Sequence, residues 1–394
     1  MRQLLKTNKN FRLFWMAISI SSLGDYVDDI AFAQLVYLVT KSTLLTSYVF
    51  AIKIVFTFLS VFTATYVDRH NKKKILIGTS AGQGIVLVFL LFLYQNQMLN
   101  SYILIGFVTI QTVFSTFGTP AQNAFLSCVV TKEEMLSARS SLHMFMNFIQ
   151  IFSYTCAGAL ITFIGIPGAI LLDAFTFLLA VILMCLTENK EGENQKFHST
   201  QEFFENVREG FHFVLHEKLI YSVLIVTFFG NLLIAPVEGL MPAYLAQGGY
   251  GDYAYASFMI GIALGGIGGA WLLTKVQDKL EKGKLFACGF FLGALGLGML
   301  YLNHIVMVYI SALFLGASCS FVSVLNATIL QMNTPKEMMA RIFSIFKCIS
   351  FVASPLGIVA AGALGEVLDM AVVFMILALP LLLNALLTRK VIRT

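Results

Sequence analysis

Charge is scarce in this sequence. Asp, Glu, Lys and Arg make up 12% of its 394 residues, about half of what a soluble globular domain carries. Hydrophobic residues reach 58% and the mean hydropathy is +0.82, which excludes an ordinary water-facing surface. Histidine is equally sparse, six in all and scattered, so no clustered base or metal-ligand set is present. The six cysteines, Cys128, Cys156, Cys185, Cys288, Cys319 and Cys348, lie in or beside apolar runs without C-x-x-C spacing and read as free thiols. No G-x-x-x-x-G-K-[ST] stretch occurs, so the chain does not hydrolyse ATP by itself. Long polar loops are missing too. Segments such as 95–100 and 165–168 leave no room for an external binding domain.

What the sequence does contain is a succession of apolar runs of membrane-crossing length. A hydrocarbon core of about 30 Å takes roughly 20 helical residues, and runs of that kind occupy approximately 11–39, 44–65, 75–93, 102–129, 142–164, 169–186, 219–245, 254–274, 285–302, 305–330, 342–364 and 370–387. These are spans 1 to 12. Lys and Arg alternate with them: 23 of the 26 lie in the N-terminal tail and every second connection after it, and the opposite connections hold only Lys41. The positive-inside rule then places both termini and the central connection in the cytoplasm of a cell-membrane protein. The net charge of +5 is a topological signal, and nucleic acid is no partner, because the basic residues sit at membrane edges. The first run is long, carries Asp25, Asp28 and Asp29, and is expected to be a retained span instead of a cleaved leader.

The chain repeats itself at half its length. Asn123-Ala124, Thr131, Met135, Ala138-Arg139 and Ala157-Gly158-Ala159-Leu160 recur as Asn326-Ala327, Thr334, Met338, Ala340-Arg341 and Ala361-Gly362-Ala363-Leu364, at offsets of 202 to 204 residues. A displacement that preserves the cytoplasmic side implies two six-span halves in parallel orientation. The expected organisation is a bundle over 1–187, a linker over 188–218 and a second bundle over 219–394. Within the linker, Phe203, Phe204, Val207, Phe211 and Val214 fall on one stripe, which predicts an amphipathic helix on the inner membrane surface.

These residues resemble the major facilitator superfamily. The run Ala64-Thr-Tyr-Val-Asp68-Arg69-His-Asn71-Lys72-Lys73-Lys74 is similar to the G-x-x-x-D-R-x-G-R-R loop of that superfamily, with Ala64 and Asn71 where glycines are usual. Leu23-Gly24-Asp25, the segment from Glu133 to Arg139, Leu172-Asp173-Ala-Phe-Thr-Phe177, and Ala340-Arg341 followed by Pro355-Leu356-Gly357 resemble its drug and macrolide exporter branch, which also holds siderophore exporters. The glycine-proline pair usual in span 5 of such exporters is replaced by Ser153 and Tyr154. The resemblance implies an all-α membrane protein: twelve transmembrane helices in two pseudo-symmetric six-helix bundles, the major facilitator fold. It implies a secondary transporter, not an enzyme, that exports amphipathic compounds against protons, with siderophore or lysolipid export as the alternative. A non-transporting membrane sensor or enzyme is disfavoured by the lack of a clustered nucleophile and base. Expected partners are a small-molecule substrate, protons and the lipid bilayer; the expected state is a monomer with no cofactor and no metal.

Chemistry is expected where charge enters the bilayer. An ionised side chain at mid-span costs about 2.5 to 3.5 kcal/mol on insertion scales, so such residues usually face a cavity, a partner or a proton path. Asp25, Asp28 and Asp29 share one helix face at i, i+3, i+4. Mutual repulsion and desolvation favour proton binding there; a structural role beside a lysine is the other reading. Lys53 lies at similar depth in span 2, Lys347 in mid-span 11, Glu238 beside Pro236 and Gly239 in span 7, and Asn231 in the Gly230-Asn231 echo of Gly24-Asp25. By resemblance, Asp25, Asp28, Asp29, Glu238 and Asn231 belong to a proton and substrate cavity, Lys53 and Lys347 to a gate or an inter-helix ion pair, and Asp68 and Arg69 with Lys72 and Lys73 to a cytoplasmic latch. Gly261, Gly265 and Gly269 form a G-x-x-x-G-x-x-x-G ridge in span 8. Small residues four apart admit close helix approach, for sliding or for static packing.

Overall fold

The computed structural model describes residues 7–131, 134–188, 200–251, 253–277, 279–335 and 338–392, with the side chains of some residues inside helices left undescribed. Among these residues the secondary structure is helical throughout. The helices are α1 (Lys9–Thr40), α2 (Thr43–Arg69), α3 (Lys72–Gln95), α4 (Ser101–Val129), α5 (Met135–Cys185), α6 (Thr200–His216), α7 (Lys218–Ile234), α8 (Pro236–Gln247), α9 (Tyr253–Val276), α10 (Lys282–Leu300), α11 (Ile305–Asn333), α12 (Met339–Gly365) and α13 (Met370–Val391). Among the described residues nine stretches are long and apolar enough to cross a membrane. Helix also occupies the remaining three expected spans, as α1, α2 and the first half of α5.

Several starts are set by local chemistry. Side-chain oxygens of Asn8, Asn71 and Asn100 accept the backbone N–H groups of Phe11, Lys74 and Ile103, satisfying donors that a first turn leaves unpaired. Spans 5 and 6 run together as α5, bent where Gly165 adopts φ 70°, a conformation that favours glycine, two residues before Pro167. Span 7 is broken instead of continuous: α7 ends at Ile234, and Pro236, with no backbone N–H to continue it, occupies the first turn of α8. The predicted linker helix is α6; Val214 is fully buried and Phe211 half-exposed on it, whereas the side chains of Phe203, Phe204 and Val207 lie outside the described residues.

The chain divides into two compact units, one of 1–41 with 52–194 and one of 42–51 with 195–394. The first residues of α2 therefore belong to the second unit. In unit 1, α1 packs along α5, and α3 lies between α5 and α4. Phe11, Phe14, Ala121, Phe125 and Leu126 form a buried cluster between α1 and α4, with the Phe14 and Phe125 rings 5.2 Å apart. Ser153, at one of the departures from the exporter pattern, is buried and donates to the Leu23 carbonyl of α1 at 3.4 Å.

In unit 2 the glycine ridge of α9 meets α11. A β-carbon on Gly265 would lie 2.1 Å from the Leu313 carbonyl oxygen, and one on Gly261 would lie 2.7 Å from Cβ of Ala312. The ridge is thus a tight helix seam. Phe163, Tyr102, Trp271 and Leu386 stay highly exposed; apolar side chains on the outside of membrane helices face lipid tails, which accept them.

Candidate functional site

Unit 1 contains a half-open cavity of about 290 Å³. Its lining brings Asp25, Asp28 and Asp29 of α1 together with Lys53 of α2 and Asp173 of α5. Gln83 of α3 and Gln111, Thr112 and Ser115 of α4 supply neutral polar groups, and Phe32 and Phe107 supply aromatic walls with ring centres 5.7 Å apart. The i, i+3, i+4 spacing read in α1 does turn three carboxyls to one side.

Pairing inside this cavity is uneven. The Lys53 ammonium donates to Oδ1 of Asp29 at 3.1 Å and stands 5.3 Å from the Phe32 ring centre. The Oδ1 atom of Asp28 and the Oε1 atom of Gln111 are fully buried and accept no hydrogen bond from the described residues. Asp173 is 1% exposed, and its Oδ1 is approached by the Thr176 hydroxyl at 3.1 Å. Four carboxyl groups thus share a lining with one basic side chain among the described residues. Such a lining attracts protons and cations, because acids in low dielectric need a counter-charge or a proton.

Asp173 was legible only as part of a motif. The signal that could have singled it out was the one used for span 1, an acid inside an apolar run. Gln83 and Gln111 carry no such signal, since amides are common at helix interfaces.

The remaining expected residues are placed elsewhere. Asn231, Glu238 and Lys347 belong to unit 2. The Asn231 amide donates to the Ser350 carbonyl at 2.9 Å and ties α7 to α12, while Glu238 and Lys347 are exposed. Glu238 lies in the first turn of α8, where the positive end of the helix favours an acid. Lys73 donates to the carbonyls of Cys185 and Thr187 at 3.1 and 2.6 Å, capping the end of α5. Arg69 ends α2 in an exposed position, Lys72 opens α3, and the side chain of Asp68, like Glu133, lies outside the described residues.

A match to the transmembrane secretion effector family covers residues 5–393. The chain belongs to that family. It is a multi-pass membrane transporter of the major facilitator type and not an enzyme. The macrolide efflux protein A of Streptococcus pyogenes is 22% identical over 300 residues, covering 74% of this chain and 73% of that protein. The enterobactin exporter EntS of Shigella flexneri is 26% identical over 376 residues, covering 93% and 87%. Among solved structures, a bacterial homologue of the iron transporter ferroportin has a similar fold, with a TM-score of 0.71 at 16% identity over 97% of each chain.

Proposed function

We propose that this transporter exports amphipathic organic compounds of drug or macrolide type in exchange for protons. The two six-helix halves alternate access to a midplane site, and both termini face the cytoplasm of a protein that works as a monomer in the cell membrane. The carrying observation is the cavity of unit 1, where Asp25, Asp28, Asp29 and Asp173 share a lining with Lys53. Carboxyl groups held there take up and release protons as water access changes, and a passing cation competes for the same oxygens. Phe32 and Phe107, buried beside these acids, give the pocket apolar walls. The macrolide exporter among its relatives supports this cargo class.

Inverted membrane vesicles loaded with the chain provide the test. An imposed pH gradient is expected to drive accumulation of radiolabelled erythromycin, and Asp25→Asn is expected to abolish that response. Accumulation that ignores the gradient removes proton exchange from the mechanism. The enterobactin exporter among the relatives supports a second reading, siderophore export. Competition by ferric catecholate chelates but not by macrolides in the same vesicles would select it.

A further inference from the structure

Gly24 of α1 and Asp173 of α5 meet more closely than any side chain on residue 24 would permit. A β-carbon there would lie 2.3 Å from Oδ1 of Asp173 and 2.2 Å from Oγ1 of Thr176. Glycine therefore seats the α1 backbone directly on the Asp173 carboxyl, one residue away from Asp25.

Asp173 has little to hold a negative charge. It is 1% exposed, and the Thr176 hydroxyl near its Oδ1 also points at the Asp173 carbonyl, 2.7 Å away. One hydroxyl hydrogen cannot fully serve both acceptors. Among the described residues, the charged groups facing it are Asp25, Asp28 and Asp29 from α1 and Lys53 from α2, and the polar lining from α3 and α4 is Gln83, Gln111, Thr112 and Ser115. Lys53 is engaged with Asp29. Two further acceptors of the same cavity, Oδ1 of Asp28 and Oε1 of Gln111, are fully buried and accept no hydrogen bond from the described residues. Among the described residues the cavity leaves acceptors without donors, and a proton on a carboxyl supplies a donor as it removes a charge.

We propose that Asp173 holds one of the protons exchanged for cargo and that Gly24 is its positioning residue. The inference rests on the proton-exchange reading above. In each cycle the Asp173 carboxylic acid releases its proton to water on one side and becomes a carboxylate, then regains a proton from the other side. Only its O–H bond breaks and forms.

The test uses the full chain in lipid nanodiscs and the infrared carbonyl stretch of protonated carboxylic acids, followed through a pH titration. Asp173→Asn is expected to lose one component of that band, and Asp173→Glu to retain it at a shifted frequency. Gly24→Ala is expected to keep the component and move the pH at which it disappears, because the carboxyl is displaced but present. A band that titrates identically in the wild type and in Asp173→Asn overturns the proposal. Should the Asn variant fail to fold, an unshifted band in Asp173→Glu together with an unchanged titration in Gly24→Ala overturns it equally. Erythromycin accumulation in inverted vesicles separates the two claims. Wild-type transport indifferent to a pH gradient removes the exchange reading, whereas gradient-driven transport that survives in Asp173→Asn removes only the role of Asp173.

Discussion

The ammonium nitrogen of Lys53 stands 3.1 Å from Oδ1 of Asp29, with 37% and 50% of the two side chains still exposed. A pair this open contributes little to stability, about 0 to 1 kcal/mol. Its consequence lies in the charge of the cavity, where Lys53 is the basic side chain among the described lining residues. Lys53→Gln is expected to leave the melting temperature nearly unchanged while sharply reducing transport in vesicles. Removing the partner charge as well, in Lys53→Gln with Asp29→Asn, is expected to restore part of that transport. A double-mutant cycle on transport rate checks this, and strictly additive losses would show that the pair is not a functional unit.

The glycine seam of unit 2 supplies an internal control. A β-carbon on Gly265 meets the Leu313 backbone at 2.1 Å, while one on Gly268 meets nothing within 4 Å. Both glycines lie in α9, so their helix propensities are comparable, whereas Gly265 is buried in the seam and Gly268 is exposed. Gly265→Val must force α9 away from α11 and is expected to cost about 1 to 3 kcal/mol or more. Gly268→Val, without a clash to relieve, is expected to be near neutral. Thermal unfolding of the two purified variants distinguishes them; equal melting temperatures would mean that the seam yields freely.

These contacts mark what the sequence could and could not disclose. Apolar length located the membrane helices, and the small-residue ridge of α9 was visible as a four-residue period, because both are local patterns. The three acids of α1 were legible for the same reason. Gly24 against Asp173 was not, since the two residues are far apart in the chain and only packing brings them together. The membership of residues 42–51 in unit 2 was equally hidden: α2 is one unbroken helix, and nothing in its composition changes at Ala51. The break at Pro236 was present in the sequence as a proline with Glu238 and Gly239 just after it, but the apolar stretches on either side still read together as one span.

Lys73 illustrates a charge whose role exceeds topology. Its ammonium binds the carbonyls of Cys185 and Thr187, the groups that the end of α5 leaves without helical partners. Lys73→Met keeps the helix propensity of α3 and the apolar stem, so the loss is confined to those two bonds. The expected cost is about 1 to 2 kcal/mol, seen as a lower midpoint in thermal unfolding. Lys74→Met removes the same topological charge from an exposed neighbour and is expected to leave the midpoint in place. A matching loss in both variants would assign the effect to charge balance at the membrane edge.

At the other end of unit 2, the Glu366 carboxylate closes on the start of α2. Its Oε1 accepts from the Ser42 hydroxyl at 2.5 Å, the Leu44 backbone N–H at 3.0 Å and the Thr43 hydroxyl at 3.2 Å. Donation from the Leu44 N–H, then from the Ser42 hydroxyl, favours the anion and holds this carboxyl below its ordinary value of 4.5. A carboxyl whose value is lowered by folding stabilises the contact above the usual carboxylate range and loses that contribution only as the pH falls through the lowered value. The contact is therefore expected to persist from neutral pH down to about pH 5.5, still above the carboxylate range. Hydrogen exchange at the Leu44 amide, corrected for the intrinsic effect of pH, checks this. Protection is expected to be the same at both ends of that interval and to fall in Glu366→Ala, which removes the acceptor. Protection lost already in mild acid in the unmodified chain would show that a group titrating nearer neutrality, and not Glu366, governs this end of α2.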